Sequence, residues 1–297
     1  MKKLTLITLF ALSVSFLFAQ DTTDLLSMVE QDKPAKEYVP HAFKSSRVIN
    51  GHSMEMIAKG NLDFRILHRF GLVNSGAKNF FGLDQASMRM GFDYGISTNL
   101  TIGIGRSTLD KEFDGFIKLR PIRQSTGPRS SPISVVLVTG ITINSLPWTD
   151  PARDNHFSSR VAYYSEIIVG RKFSEAFSLQ LSPTMVHRNL VPLASDENDV
   201  FALGIGTRFK LSRRIALVAD YHQILSGLNK NIYHNPLSVG VDIETGGHVF
   251  QLHFSNAQGM NEKAFITNTL DKWGDVRFGF NLSRMFVIKK PKVKTTE

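Results

Sequence analysis

Residues 86–96 read Ala86-Ser-Met-Arg-Met-Gly-Phe-Asp-Tyr-Gly-Ile96 and alternate without a break. Ala86, Met88, Met90, Phe92, Tyr94 and Ile96 fall on one face of an extended chain; Ser87, Arg89, Gly91, Asp93 and Gly95 fall on the other. A period of two places successive side chains on opposite faces of a strand. Residues 201–211 repeat the pattern, with Phe201, Leu203, Ile205, Thr207, Phe209 and Leu211 on one face and Ala202, Gly204, Gly206, Arg208 and Lys210 on the other.

Working outward from these two stretches, the alternation predicts twelve strands, at about 57–70, 85–96, 100–107, 112–121, 132–145, 158–173, 177–188, 200–211, 215–225, 236–245, 248–256 and 275–288. Three connections share one form, a hydrophobic residue, Ser, two residues and a second hydrophobic residue: Ile96 to Leu100, Phe173 to Phe177 and Leu211 to Ile215. Read as three-residue hairpin loops, they set Tyr94 opposite Ile102, Val169 opposite Leu181 and Phe209 opposite Leu217. A fourth connection, Thr245-Gly-Gly-His248, suits a two-residue turn with positive φ at both centres. It sets Ile243, Val241 and Val239 opposite Phe250, Leu252 and Phe254. A slip of one residue would scramble the faces in all four hairpins.

Each tight turn follows an even-numbered strand, and the connections after odd strands are mostly longer, notably 146–157 and 257–274. Outer-membrane barrels place short turns on the periplasmic side and long loops outside. The link near 121–132 is longer than this scheme asks, and the link near 108–111 is shorter. A soluble sandwich would also alternate. Here, however, the apolar face is rich in Phe, Leu, Ile and Met while the opposite face carries Arg, Asp, Glu, Lys and Gly. Lipid outside and a polar lumen inside require that inversion. The expected fold is therefore all-β: a transmembrane antiparallel up-and-down barrel of about twelve strands.

Lys2 and Lys3, an apolar run from Leu4 to Phe18, and Ala19 read as a signal peptide over residues 1–19. The run is shorter than the roughly 20 apolar residues of a membrane-spanning helix. No later stretch approaches that length. The chain has no Cys, which removes disulfides, thiolate metal sites and lipid attachment at Cys. Without the two signal lysines, 33 basic residues face 26 acidic ones, a net of +7. These charges are spread along an exported chain, so nucleic acid is not an expected partner. The compact basic run is the tail, Lys289, Lys290, Lys292 and Lys294.

The expected organisation is a signal peptide at 1–19, a periplasmic arm or plug at 20–54, the barrel at 55–288 and a basic tail at 289–297. Thr23 to Glu30 could form a short amphipathic helix before Pro34 and Pro40. The expected location is the outer membrane of a Gram-negative bacterium, among membrane lipid and lipopolysaccharide, with both termini periplasmic.

Enzymatic chemistry finds little support. No His-x-His pair exists, and Ser182 has the opposite parity from His187 and Asn189, so these three cannot converge. Asp220 and His222 share the inward face, as a hydrogen-bonding pair or, less simply, a metal or acid–base pair. Gly103-Ile-Gly105 and Gly204-Ile-Gly206 lead into no helix and are not phosphate loops. No enzyme activity, cofactor or metal is expected. The functional signal lies in charges of inward parity: Asp63, Arg65, Arg89, Asp93, Lys118, Arg120, Glu166, Arg208, Asp220, Asp242, Glu244 and Arg277. They read as a salt-bridge network filling a narrow barrel, or as a selectivity ring. An eight-stranded barrel is filled by side chains and one of sixteen or more strands is open; twelve lies between.

The segments Phe43 to His52, Leu62 to Gly71, Phe81 to Gln85, Val186 to Pro192 and Glu244 to Phe254 resemble a Bacteroidota β-barrel family filed as a numbered domain of unknown function. The resemblance spans about residues 40–288. It implies an outer-membrane barrel and supplies no activity, substrate, cofactor or catalytic residue. The last strand does not end the chain, unlike that of many outer-membrane barrels. Two functions remain open: a narrow channel for small polar solutes, or a plugged barrel holding a periplasmic or surface partner through residues 20–54.

Overall fold

The computed structural model describes residues 35–193 and 196–289. The expected signal peptide, the helix at 23–30 and the tail beyond Lys289 lie outside the described residues.

Two short strands and twelve long ones follow in chain order: β1 (Glu37–Tyr38), β2 (Asn61–Leu72), β3 (Ala86–Ser97), β4 (Leu100–Ser107), β5 (Glu112–Ile122), β6 (Ser125–Thr126) and β7 (Ser134–Asn144). The second half holds β8 (Val161–Lys172), β9 (Phe177–Arg188), β10 (Asp199–Lys210), β11 (Ile215–Ser226), β12 (Leu237–Thr245), β13 (His248–Ser255) and β14 (Arg277–Val287). The twelve long strands form one closed antiparallel barrel, sealed by β14 against β2 with Phe280 opposite His68. Closure removes every sheet edge, the condition for strands to cross a bilayer. All twelve strands of the sequence reading are present.

The hairpin registers also match. Tyr94 pairs with Ile102, Val169 with Leu181, Phe209 with Leu217, and Val239, Val241 and Ile243 with Phe254, Leu252 and Phe250. The recurring Ser has a mechanical role. Ser174 Oγ accepts from the backbone N–H groups of Ala176 and Phe177, and Ser212 Oγ from those of Arg214 and Ile215. The hydroxyl satisfies turn donors that no strand reaches. In the first turn Ser97 pairs directly with Leu100, through a register shift after Gly95. Gly246 and Gly247 both adopt positive φ, 41° and 106°.

Outward-facing Met90, Phe92, Ile104, Ile117, Ile167, Leu181, Leu217 and Phe254 are all exposed. A continuous apolar outer band is the surface of a protein solvated by lipid.

The tight turns mark one end of the barrel, the turn end; the longer connections mark the loop end. The long 121–132 link has a structural cause. Within it β6 pairs with β1, Glu37 opposite Thr126, and the backbone N–H of Val39 donates to Gln124 O at 3.0 Å. The link is long because it grips the N-terminal arm at the turn end.

Candidate functional site

The barrel interior is filled by two segments, one from each end. The first begins where the β1–β6 pair releases the chain. Ala42, Phe43, Ser46 to Met54 and Ile57 are all buried. Since β2 starts at the turn end, a segment entering the lumen there must also come back there, and it does so as a hairpin. Ser53 N–H donates to Ser46 O at 3.0 Å, Val48 N–H to Gly51 O at 2.9 Å, and Arg47 bridges to His52. The returning chain passes Gly95, where Gly60 N–H donates to Gly95 O at 2.8 Å, and then becomes β2. This is why β2 begins at Asn61 and not near 57.

The second segment comes from the β13–β14 connection, expected to be an external loop. Residues from Asn256 onward turn inward and form α1 (Glu262–Thr267), whose Glu262, Ala264, Phe265, Ile266 and Thr267 are buried. Asn261 caps the helix, accepting from Ala264 N–H at 2.8 Å. Glu112 at the start of β5 holds the segment to the wall, through Asn261 Nδ2 at 2.8 Å and Lys263 Nζ at 2.9 Å.

The two segments meet at Arg47 and Glu262, 2.7 Å apart with both side chains 1 % exposed. The same Arg47 Nη1 also donates to Asn50 O at 2.6 Å, bracing the hairpin tip. His52 Nε2 lies 3.5 Å from Glu262, and its ring sits edge-on to Phe116 at 4.5 Å.

The inward charges hold this filling. Asp220 accepts from the backbone N–H groups of Asn50 and Gly51, both at 2.8 Å, and its other oxygen lies 3.3 Å from His222 Nδ1. Arg65 donates to Ser45 and Ser46 at 2.8 and 2.9 Å and pairs with Asp63 at 2.5 Å. Asp93 accepts from Ser46 Oγ at 3.2 Å. Lys118 donates to Ser46 O at 3.1 Å and Glu55 O at 2.7 Å. Asp242 accepts from Gln251, which also donates to Val48 O. Glu244, half-exposed at the turn end, pairs with Lys44 at 2.9 Å.

The remaining charges stay within the wall or its own loop. Arg89 pairs with Asp114. Arg120 donates to Thr98 O at 2.8 Å, and Arg277 pairs with Asp271 at 2.5 Å. Glu166 and Arg208 are buried but join no ion pair among the described residues.

The inside is not polar throughout, as the sequence had implied. Val136, Val138, Ile168, Val186, Val200, Ala202 and Ile224 also face inward, and they pack with Phe43, Val48, Met54, Phe265 and Ile266 of the filling. On β7–β11 the inward face thus mixes these apolar side chains with Glu166, Arg208, Asp220 and His222, while on β2–β5 it is mostly polar and charged. The filling presents matching chemistry to each.

Arg69, Asp114 and Glu112 share inward parity with the residues named from sequence and were missed, though the same parity would have found them. Arg69 donates to Asn50 Oδ1 at 2.6 Å and to Asn281 Oδ1 at 3.0 Å. Arg47 and Glu262 lie in no strand, so no periodicity marks them.

This geometry defines a closed transmembrane β-barrel with a filled lumen. The chain belongs to the family described as a membrane-bound β-barrel domain, DUF5777, whose model matches residues 43–286. That span begins at the lumen hairpin and not at the first barrel strand. Among solved structures, the NanC porin is 8 % identical at a TM-score of 0.48, covering 77 % of this chain and 100 % of its own. The KdgM porin is 6 % identical at 0.45, covering 76 % and 99 %. The translocator domain of the autotransporter NalP from Neisseria meningitidis is 13 % identical at 0.37, covering 78 % and 89 %. No curated protein matches the sequence.

Proposed function

We propose that this protein is an outer-membrane barrel of a Gram-negative bacterium that rests closed and serves as an anchor. In this reading the turn end is periplasmic, and residues preceding the lumen hairpin reach a periplasmic partner. The observation that carries it is the buried Arg47–Glu262 pair, which joins a segment from each end of the barrel across the lumen. An open diffusion channel has no use for such a join. Five of the twelve inward charges bond directly to the hairpin and line no free path.

Planar-bilayer recording of the purified protein tests the closed state. The full chain is expected to be nearly silent, and deletion of residues 42–56 to produce steady conductance. Steady conductance by the full chain would instead favour a channel for small polar solutes. Crosslinking in cells, with residues 20–34 removed so that the hairpin remains, tests the anchor. Loss of a crosslinked partner supports it, and an unchanged pattern removes it.

A further inference from the structure

At the turn end, beside the β1–β6 pair, a polar pocket of about 440 Å³ lies between the entering arm and the barrel wall. Lys36 and Tyr38 line it from the arm, Thr98 and Asn99 from the β3–β4 turn, and Arg120 and Arg123 from the end of β5 and the link beyond it. Three of these side chains are cationic, and no Asp or Glu lines the pocket among the described residues. Glu37, between Lys36 and Tyr38, points to the opposite face of β1 by strand alternation.

The arginines are incompletely satisfied. Arg120 is 8 % exposed and its Nε has no hydrogen-bond partner. The Nε of Arg123 is also buried without one, while its guanidinium lies over the Tyr38 ring, 4.7 Å from the centroid. Arg47 and Arg65 in the lumen leave Nε unpartnered too, but each of them, like Arg89, holds a carboxylate through an Nη, and the pocket offers Arg120 and Arg123 none. A buried donor without an acceptor is costly, and a guanidinium fork matches the oxygens of a phosphate or carboxylate. The volume suits a small molecule more than a bare ion, since ligand pockets run from about 300 to 1,000 Å³.

We propose that this pocket binds a phosphate-bearing ligand, which ties the N-terminal arm to the barrel wall. The phosphate could come from a soluble ester or from the headgroup of an anionic phospholipid in the adjacent leaflet. The exposed Ile122 on the pocket rim places lipid within reach. The site stands whether or not the lumen conducts.

Two measurements on the full chain test the proposal and separate the sources. Calorimetry in detergent uses glycerol 3-phosphate as the probe. Native mass spectrometry from nanodiscs of phosphatidylethanolamine, with and without phosphatidylglycerol, reads retained lipid. The variants are Arg123→Glu and Lys36→Glu, with Arg123→Gln as a milder change, each checked for folding by unboiled gel mobility. Saturable binding of one equivalent of either probe, weakened at least tenfold by the charge reversals, is expected. Binding of glycerol 3-phosphate assigns the soluble source, and retention of phosphatidylglycerol alone assigns the lipid. No saturable binding of either probe, or equal binding by the wild type and a folded Arg123→Glu, would overturn the site.

Discussion

Arg47 and Glu262 stand 215 residues apart in sequence and 2.7 Å apart inside the barrel. One belongs to a hairpin that enters from the turn end, the other to a helix folded down from the loop end. Both are removed from solvent, and the pair is the point at which the two fillings become one plug.

Removing one partner leaves a buried charge uncompensated, which costs about 3–5 kcal/mol. The barrel ladders do not depend on this contact, so the cost falls on the plug. Arg47→Ala and Glu262→Ala are expected to leave the barrel folded and raise the frequency of open events in planar bilayers. Arg47→Ala combined with Glu262→Ala should open it less than the two single changes summed. Strict additivity would show that the two groups are not coupled.

The tip of the hairpin hangs on Asp220, which accepts two adjacent backbone N–H groups. Asp220→Ala leaves both buried donors unpaired, at about 1–3 kcal/mol each. Faster hydrogen exchange at Asn50 and Gly51 is expected, with strand amides of β10 and β12 unchanged. Unchanged protection at those two amides would contradict the assignment of Asp220 as the tip's anchor.

Gly95 offers a test that touches no charge. A Cβ at this position would lie 2.2 Å from Ala58 O and 2.5 Å from Ile57 O, where the plug leaves the lumen. Gly95→Val should therefore displace the returning chain and raise protease sensitivity around residues 55–60. Resistance equal to wild type would mean that the backbones are not in contact there.

Phe265 is fully buried and packs against His222, ring centroids 4.8 Å apart. Phe265→Ala should cost about 3–5 kcal/mol, again mainly to the plug. The expected readout is loss of exchange protection across 262–267, while the temperature at which the barrel changes its gel mobility moves little. A large fall in that temperature would mean that the plug also supports the wall.

The hairpin registers show why so much of the wall could be read in advance. Tyr94 and Ile102, or Val241 and Leu252, are set opposite each other by a turn a few residues away, so local chemistry decides them. Asp63, Arg65, Arg89 and Asp93 could be placed inward for the same reason, because strand parity is a local property. What parity could not say was the partner of each. Parity makes Asp220 beside His222 a hydrogen-bonding pair before a metal or acid–base pair, but it does not name what Asp220 holds, which is the backbone of Asn50 and Gly51.

The sequence by itself therefore determined a twelve-stranded wall with lipid-facing and inward-facing residues, because alternation and turn geometry act over two to five residues. Only the tertiary structure decided that two segments fill the lumen, that apolar side chains share its wall with charged ones, and that the 257–274 connection turns inward. Those features rest on contacts such as Arg47–Glu262 and Phe265–His222, between segments with no repeating pattern. An irregular segment carries no period that points it anywhere. It goes where buried donors, charges and apolar surface are jointly satisfied, and that place exists only once the barrel has closed around it.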